Sequence, residues 1–216
     1  MIAYASKQAG HYAAEPGYTI TISRQLGSLG FDIAHLAAER LGHRIVWRDL
    51  INQAAVKAGV PEMALATIDE LGLLGVSPSR KASRAYRQAV QQVMLELAAE
   101  GNVVIVGRAG QVVLAGRPEV LHVRIIAPPK VRAERIALRQ GISLASAIAQ
   151  VEASDHNRSS YMRRFYRVRW DNPELYDLII NTGRISIHIA ADLICMALSQ
   201  LQNESKNPAT KSGTKN

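Results

Sequence analysis

The sequence predicts an α/β fold, in which a parallel sheet carries helices on both faces. Short, continuous apolar runs such as 103–106 and 121–126 are bounded by glycine, proline or polar turns, which is typical of strands buried on both faces. Segments with apolar residues at helical spacing separate these runs through the chain. This alternation favours a doubly wound sheet, whose ligands bind at the carboxyl ends of the strands.

The elements are predicted in order from residue 19. The β-branched run 19–23 indicates a strand, and 31–41 has the apolar spacing of a helix that ends before Gly42. Asp49 follows a short strand at 45–47 and is placed to cap the next helix. Further helices are predicted at 50–58, 82–99, 130–140, 144–164 and 186–201, further strands at 103–106, 121–126 and 178–180, and a loop at 71–79.

The ends of the chain and its single cysteine indicate in which cellular compartment the protein is expected. Residues 1–17 lack the apolar stretch of a signal peptide and are expected to form a loose extension, and the polar residues 203–216 are expected to be disordered. No run approaches the roughly 20 apolar residues of a membrane span, so no membrane partner is expected. Cys195 is the only cysteine, which excludes an internal disulfide and favours a cytoplasmic protein.

The strong positive charge narrows the class of partner. The net charge is +8 and the pI is about 9.9. Such a charge suits a nucleic-acid binder, a membrane-surface binder or a protein with a pocket for a polyanionic small molecule. The basic residues are not evenly spread, since five arginines fall within residues 158–169.

The first strand runs into a glycine-rich turn that resembles a phosphate loop. Residues 24–32 read Arg-Gln-Leu-Gly-Ser-Leu-Gly-Phe-Asp, and a helix follows at once. Backbone N–H groups in such a turn, together with a helix N-terminus, bind anions without a basic side chain. Against the pattern G-x-x-x-x-G-K-[ST], Gly30 matches the second glycine, Gln25 replaces the first, Phe31 replaces lysine and Asp32 replaces Ser/Thr. A phosphate loop and a plain strand–turn–helix corner both fit this pattern.

Two other strand ends carry polar residues. Arg108 directly follows the buried strand 103–106, which directs it into the ligand crevice, unless it only satisfies helix carbonyls. Residues 181–183 read Asn-Thr-Gly after the last strand, and a polar turn with a helix cap is the favoured interpretation there.

A cluster of arginines and aromatic residues lies in the second half of the chain. Asp155 and Arg158 are three residues apart and share one face of a helix. Arginine forks match phosphate oxygens, whereas the interleaved aromatic rings would suit single-stranded bases, and a solvated helix face is the third interpretation. The cluster contains Arg158, Tyr161, Arg163, Arg164, Phe165, Tyr166, Arg167, Arg169 and Trp170.

Taken together, these pieces resemble the cytidylate-kinase-like family, a branch of the P-loop nucleoside monophosphate kinases. The resemblance runs from about residue 19 to residue 201. It is carried by Ile-Ser-Arg-Gln-Leu-Gly-Ser (22–28), Val-Ile-Val-Gly-Arg (104–108), His-Val-Arg-Ile-Ile-Ala-Pro (122–128), Asp-x-x-Arg-x-x-Tyr (155–161), Trp170 and Tyr-Asp-Leu-x-x-Asn-Thr (176–182).

The resemblance implies a P-loop NTPase-type sheet with two insertions in a nucleotide-kinase-like domain at 18–202. Residues 47–87 would form the monophosphate-binding region and residues 149–171 the lid. Members of the family transfer phosphate from ATP to CMP or dCMP with Mg²⁺, without a covalent intermediate. Nucleotide substrates are therefore the expected partners, nucleic acid is disfavoured, and a second copy of the chain remains open as a partner.

The resemblance also implies roles for individual residues. Gly27, Ser28, Leu29, Gly30, Phe31 and Asp32 would hold the donor phosphates, with Arg132 and Arg135 on the same side. Arg158, helped by Arg163, would close from the lid. Arg108, with Asp49 and Asp155, would serve the acceptor.

The departures from the family pattern leave two hypotheses open. The loop lysine is missing, and Arg24 either compensates for it or pairs with Asp49. Asp32 either binds Mg²⁺ or complements the helix dipole, and the dipole role is favoured. Ala109 stands where family members tend to have an acidic residue. The chain is then either a kinase or a nucleotide-binding protein that has lost phosphoryl transfer and acts as a sensor or assembly partner.

Overall fold

The computed structural model of the chain describes residues 17–47, 56 and 80–206. In these residues one sheet is formed in the order β2-β3-β1-β4-β5, and every neighbouring pair is parallel. The parallel sheet predicted from the apolar runs is thereby confirmed. The strands are β1 (Thr19–Arg24), β2 (Arg44–Val46), β3 (Val103–Val106), β4 (Val120–Ile126) and β5 (Leu178–Asn181).

Helices connect the strands as the alternating pattern predicts. The described helices are α1 (Gly30–Leu41), α2 (Arg80–Glu100), α3 (Gly110–Val113), α4 (Pro129–Gln140), α5 (Leu144–Tyr166) and α6 (Ile187–Lys206), with a short 3-10 turn at Pro173–Leu175. The α6 helix continues into the segment predicted to be disordered, since residues 203–206 are helical and Gln202 is buried. Apart from residue 17, the expected extension lies outside the described residues, as do Asp49 and the loop at 71–79. Of the helix predicted at 50–58 only residue 56 is described, and it is helical.

Apolar side chains cover the two faces of the sheet separately. Ile20 and Ile22 of β1 contribute to the face that packs against α1 and α6. Val103 and Ile105 of β3 point to the other face and pack with Met94 of α2. Alternation along each strand thus explains why helices are needed on both faces.

The strand register brings several loops to one edge of the sheet. Ile22 of β1 lies opposite Val106 of β3, and Arg24 lies opposite Ile125 of β4. The segments that follow β1, β3 and β4 therefore leave the sheet at nearly the same height. Among the helices described above, none has the length and apolar character needed to cross a membrane.

Candidate functional site

The loop after β1 has its carbonyl groups held by hydrogen bonds. The carbonyl oxygens of residues 25 to 28 accept bonds from Ser28 Oγ (2.8 Å), Arg132 Nη1 (3.3 Å), Arg135 Nη1 (3.3 Å) and Thr182 Oγ1 (2.9 Å), respectively. In a trans peptide the N–H points away from the C=O of the same unit. Fixing these carbonyls toward the protein therefore directs the N–H groups of Leu26, Gly27 and Leu29 to the opposite side, while the N–H of Ser28 donates to Gln25 O within the turn at 3.3 Å. Next to the N-terminus of α1, they form the kind of surface that binds an anion.

Backbone angles correct the register in which the loop matches the phosphate-loop pattern. Gly27 and Leu29 are left-handed, with φ of 77° and 61°, and Gly30 is the first residue of α1. Glycine is the residue that adopts positive φ without cost, so Leu29 occupies the place of the second glycine. The match predicted from letters alone, with Gly30 as that glycine, differs by one residue. In the corrected register Arg24 takes the place of the first glycine, Gly30 that of lysine and Phe31 that of Ser/Thr.

A cavity of about 530 Å³ opens beside this loop. Four arginines line it together with one carboxylate, so the cavity carries an excess of positive charge. The arginines come from three elements, β1, α4 and α5, with two of them on α4. The charged lining residues are Arg24, Asp32, Arg135, Arg139 and Arg158.

Arg158 of α5 lines the cavity as a half-buried cation. Its Nε donates to Ser154 Oγ at 3.2 Å, and its guanidinium lies 6.0 Å from the ring centre of Trp170. Burial lowers the pKa of Arg158 because it disfavours the charged form, while the carboxylate of Asp155 raises that pKa and the charge of Arg132 lowers it further. Arginine stays protonated regardless, so the charge of a bound anion would compensate the cost of burying this cation.

Arg132 and Asp155, predicted to serve the donor and the acceptor, contact each other in the structure. Arg132 is 1% exposed and donates to both carboxylate oxygens of Asp155, at 3.1 and 2.7 Å. Its remaining bonds go to the main-chain oxygens of Leu26 and Ala127. With its donors directed to protein groups, Arg132 holds the loop in place and does not line the cavity. The pair ties α4 to α5 through an ion pair in which Arg132 is buried and Asp155 is partly exposed, and its donor-side and acceptor-side roles stay predictions.

Arg135 both lines the cavity and supports the polar turn after β5. It lines the cavity, and it also donates to Thr182 through Nη1 (3.1 Å, to Oγ1) and Nη2 (2.7 Å, to O). Thr182 is 2% exposed and bridges the loop, Arg135 and the end of β4. The polar turn after β5 therefore supports the loop, although Asn181 also caps Gly183 N as the simpler interpretation predicted.

Two of the predicted arginines lie away from the cavity lining. Arg163 is exposed on α5. Arg108 is half-buried at the end of β3, where its charge lowers the pKa of Tyr166 against the larger raising effect of burial. Gly107, Arg108 and Ala109 all have positive φ, of 87°, 55° and 58°. Two consecutive left-handed residues other than glycine indicate strain of the kind found at functional sites.

An aromatic wall of the cavity was missed in the sequence. Phe31 stacks on Trp47 with ring centres 4.6 Å apart and planes 20° apart, and both rings line the cavity. His35 meets the Phe31 ring edge-on at 4.9 Å. Trp47 is 16 positions from Phe31 in the sequence, and His35 is four positions from it. The only signal in the sequence was one aromatic residue at the start of the predicted helix 31–41 and another at the end of the predicted strand 45–47.

The aromatic residues of the arginine-rich segment pack largely on protein groups. Trp170 is 7% exposed, donates through Nε1 to Ser23 Oγ at 2.9 Å and stacks with the buried Arg124 at 4.5 Å. Arg124 was also missed, because nothing in the strand around it signals a buried cation. These contacts leave the indole ring of Trp170 unsuited to stacking on single-stranded bases.

The residues that line the cavity are chemically suited to the phosphates of ATP and to Mg²⁺ bound with them. The loop amides and the cavity arginines match a polyphosphate. Mg²⁺ binds through one or two carboxylates plus substrate phosphates and keeps several waters, and Asp32 is the carboxylate among the cavity-lining residues. The hydroxyl that Ser/Thr provides in a phosphate loop is missing, since Phe31 stands there. Within the described residues, no cluster of His, Cys, Asp and Glu side chains forms a dedicated metal cage.

Comparisons with known proteins agree with this geometry. The chain is 36% identical to a cytidylate kinase of Pyrococcus horikoshii over 77% of this chain and 81% of that protein. It is 30% identical to a cytidylate kinase of Archaeoglobus fulgidus over 83% of this chain and 93% of that protein. A uronate isomerase of Corynebacterium glutamicum is 29% identical over 68% of this chain, but the match spans only 28% of that protein's length.

Solved structures share the fold. A protein of Eubacterium ventriosum superimposes with a TM-score of 0.66 at 20% identity, over 84% of this chain and 98% of that one. A gluconokinase of Sinorhizobium meliloti superimposes with a TM-score of 0.52 at 16% identity, over 91% and 98%. The family model described as the cytidylate kinase-like family matches residues 19–184. The chain belongs to the cytidylate kinase-like family, and so to the kinase-like phosphotransferases of the P-loop fold.

Proposed function

We propose that this protein transfers the γ-phosphoryl group of ATP to a nucleoside monophosphate, with CMP or dCMP as the acceptor. The observation that carries the proposal is the loop after β1, whose carbonyls are held by the protein and most of whose residues line a cavity with four arginines. Family membership supports the class of reaction, and the cytidylate kinases of P. horikoshii and A. fulgidus suggest the acceptor.

The proposed roles follow from position in the cavity. The residues from Gly27 to Phe31 and the start of α1 hold the donor phosphates. Arg158 meets the transferring group from α5, with Arg163 as a helper if residues 149–171 close over the ligand. Arg108, with residues 47–87 and Asp49, serves the acceptor. Mg²⁺, when bound near Asp32, neutralises charge on the phosphates.

The chemistry asks for positioning and positive charge and for no covalent intermediate. A phosphate oxygen of the acceptor forms a bond to the γ-phosphorus as the bond to the bridging oxygen breaks, and ADP leaves. Charge builds up on the bridging oxygen and on the transferring group, so preorganised cations accelerate the step. A single cysteine and free nucleotide substrates suit the reducing cytoplasm, which is the proposed compartment.

The alternative is a nucleotide-binding protein without catalysis. Gly30 in the lysine place and Phe31 in the Ser/Thr place favour it. Such a protein would bind an ATP analogue and show no transfer.

The experiment is an ADP-release assay with ATP, Mg²⁺ and each common nucleoside monophosphate, run beside calorimetry with a non-hydrolysable ATP analogue. The proposal predicts turnover that is fastest with CMP or dCMP. Binding of the analogue without turnover on any acceptor would select the alternative. Turnover on another monophosphate would keep the kinase and reject the acceptor.

A further inference from the structure

The side chain of Arg24 fills the space that a residue at position 30 would need. Gly30 has no Cβ, and an added Cβ would lie 2.5 Å from Arg24 Cβ, 3.1 Å from Arg24 Cγ and 3.3 Å from Ile125 Cβ. Real Cβ atoms do not approach carbon this closely, and the stem atoms of Arg24 cannot move without shifting β1. A side chain at position 30 and the arginine at position 24 therefore exclude each other in this conformation.

A second glycine accommodates the other end of the same side chain. A Cβ on Gly107 would lie 2.7 Å from Arg24 Nη1, 3.5 Å from Cζ and 3.8 Å from Nη2. The guanidinium of Arg24 therefore rests against the backbone at the end of β3, just before Arg108. Its stem passes under the start of α1, so Arg24 extends from the loop toward the proposed acceptor side.

In the corrected register, positions 24 and 30 both correspond to defined positions of the phosphate-loop pattern. Arg24 stands in the place of the first glycine of the phosphate-loop pattern, and Gly30 stands in the place of its lysine. Relative to that pattern, the cation and a glycine have exchanged positions across the loop. Arg24 is also one of the residues that line the cavity beside the start of α1.

We propose that Arg24 is the phosphate-binding cation of this loop in place of the lysine, and that Gly30 is required because it admits the side chain of Arg24. This inference deepens the proposed kinase function and rests on it. An arginine suits the task since it is always charged and offers several donors in a fixed fork, which can contact two phosphate oxygens at once.

The test compares affinity for a non-hydrolysable ATP analogue, measured by calorimetry, in four proteins. They are the wild type, Arg24→Gly, Gly30→Lys, and the triple variant Arg24→Gly/Leu29→Gly/Gly30→Lys, which restores the usual pattern. Each single variant should weaken binding by on the order of 10- to 100-fold, the worth of charged hydrogen bonds. The triple variant should bind at least about 10-fold more tightly than either single variant, because one cation again faces the phosphates without a clash.

A matched pair of glycine variants keeps the test independent of the loop's own stability. In Gly107→Ala the new Cβ pushes the guanidinium of Arg24, whereas in Gly42→Ala it meets nothing within 4 Å, although both positions have positive φ (87° and 64°). Gly107→Ala should weaken analogue binding several-fold, and Gly42→Ala should leave it unchanged. Thermal unfolding of every variant identifies any that does not fold.

The outcomes separate this inference from the proposed function. Wild-type affinity in Arg24→Gly or in Gly30→Lys would overturn the inference, and so would a triple variant no better than the singles. In those cases phosphoryl transfer to CMP by the wild type would still stand. A wild type that binds no ATP analogue would overturn both. Analogue binding that follows the predicted order without any transfer would support Arg24 and reject the kinase.

Discussion

The start of α4 and the middle of α5 both present an arginine to the loop region, but the two arginines have different partners. Arg132 is buried and directs its donors to a carboxylate and to two main-chain oxygens. Arg158 is half-buried, donates to one serine hydroxyl and lines the cavity. The comparison teaches that the partners of a guanidinium, rather than its distance from the loop, separate an arginine that shapes a site from one that serves its ligand.

The largest expected effect is the loss of stability when the structural arginine, Arg132, is removed. Arg132→Ala removes a buried cation, releases the carbonyl of Leu26 and leaves the partly exposed Asp155 without its partner. The free energy of unfolding should therefore fall by about 3 kcal/mol, the lower end of the range for breaking a buried pair. Affinity for ATP should fall with it, because the loop loses its support. Urea denaturation measures the first effect and calorimetry the second.

Arg169→Ala is the control for that variant, since Arg169 and Asp171 form an exposed ion pair at 2.9 Å. It should leave stability and binding nearly unchanged. If the Arg132→Ala protein were as stable as the Arg169→Ala protein, the proposal that Arg132 has a structural role would be wrong.

The next effect concerns the cavity side. Arg158→Ala should lower kcat by on the order of 10²-fold, because it removes charge that meets the transferring group. Its unfolding midpoint in urea should stay close to that of the wild type. Full turnover in this variant, in a steady-state assay with ATP and CMP, would show that Arg158 is not a ligand-binding cation.

A smaller effect is expected at the support behind the loop. Thr182→Val removes the hydroxyl that donates to Ser28 O and accepts from Arg135, which leaves buried polar groups unsatisfied. Affinity for an ATP analogue should fall by about 10-fold, in line with 1–3 kcal/mol for such a loss. Thr182→Ser keeps the hydroxyl and should bind almost as well as the wild type. Equal affinities in the two variants would contradict this role.

The smallest effect concerns a polar pair inside the sheet, where Thr21 Oγ1 and His122 Nδ1 lie 2.7 Å apart. Burial lowers the pKa of His122 below its ordinary 6.5, against the raising effect of Asp177. The unfolded chain therefore takes up a proton near pH 6.5 while the folded protein does not. Stability should be full above that pH and fall as the pH drops below it.

His43, whose pKa burial also lowers, adds to the same trend. His122→Gln should reduce the loss of stability between pH 7.5 and pH 5.5, measured by urea denaturation, without removing it. Turnover at pH 7.5 should not change. A variant with the full pH dependence of the wild type would show that His122 does not contribute.

The sequence was sufficient to predict the positions of the strands and of most helices. Continuous apolar runs such as 103–106 have few alternatives to buried strands, so their bounds agree with the structure within about a residue. The site was predicted less well, because its contacts join distant parts of the chain. The ion pair joins Arg132 and Asp155, which are 23 positions apart on consecutive helices, and no local pattern distinguishes it from a ligand-binding pair. The register of the loop depended on the φ of Leu29, which a pattern of letters does not contain.

The central claim is that the arginine-lined cavity beside the β1 loop carries out phosphoryl transfer between nucleotides. Phosphorus NMR of the wild-type protein with ATP, Mg²⁺ and CMP tests it directly, with Arg158→Ala and Arg169→Ala as parallel samples. The account predicts that ADP and CDP appear together in the wild type and in Arg169→Ala, and far more slowly in Arg158→Ala. Unchanged ATP with CMP and with every other nucleoside monophosphate, or equal rates in all three proteins, would contradict it.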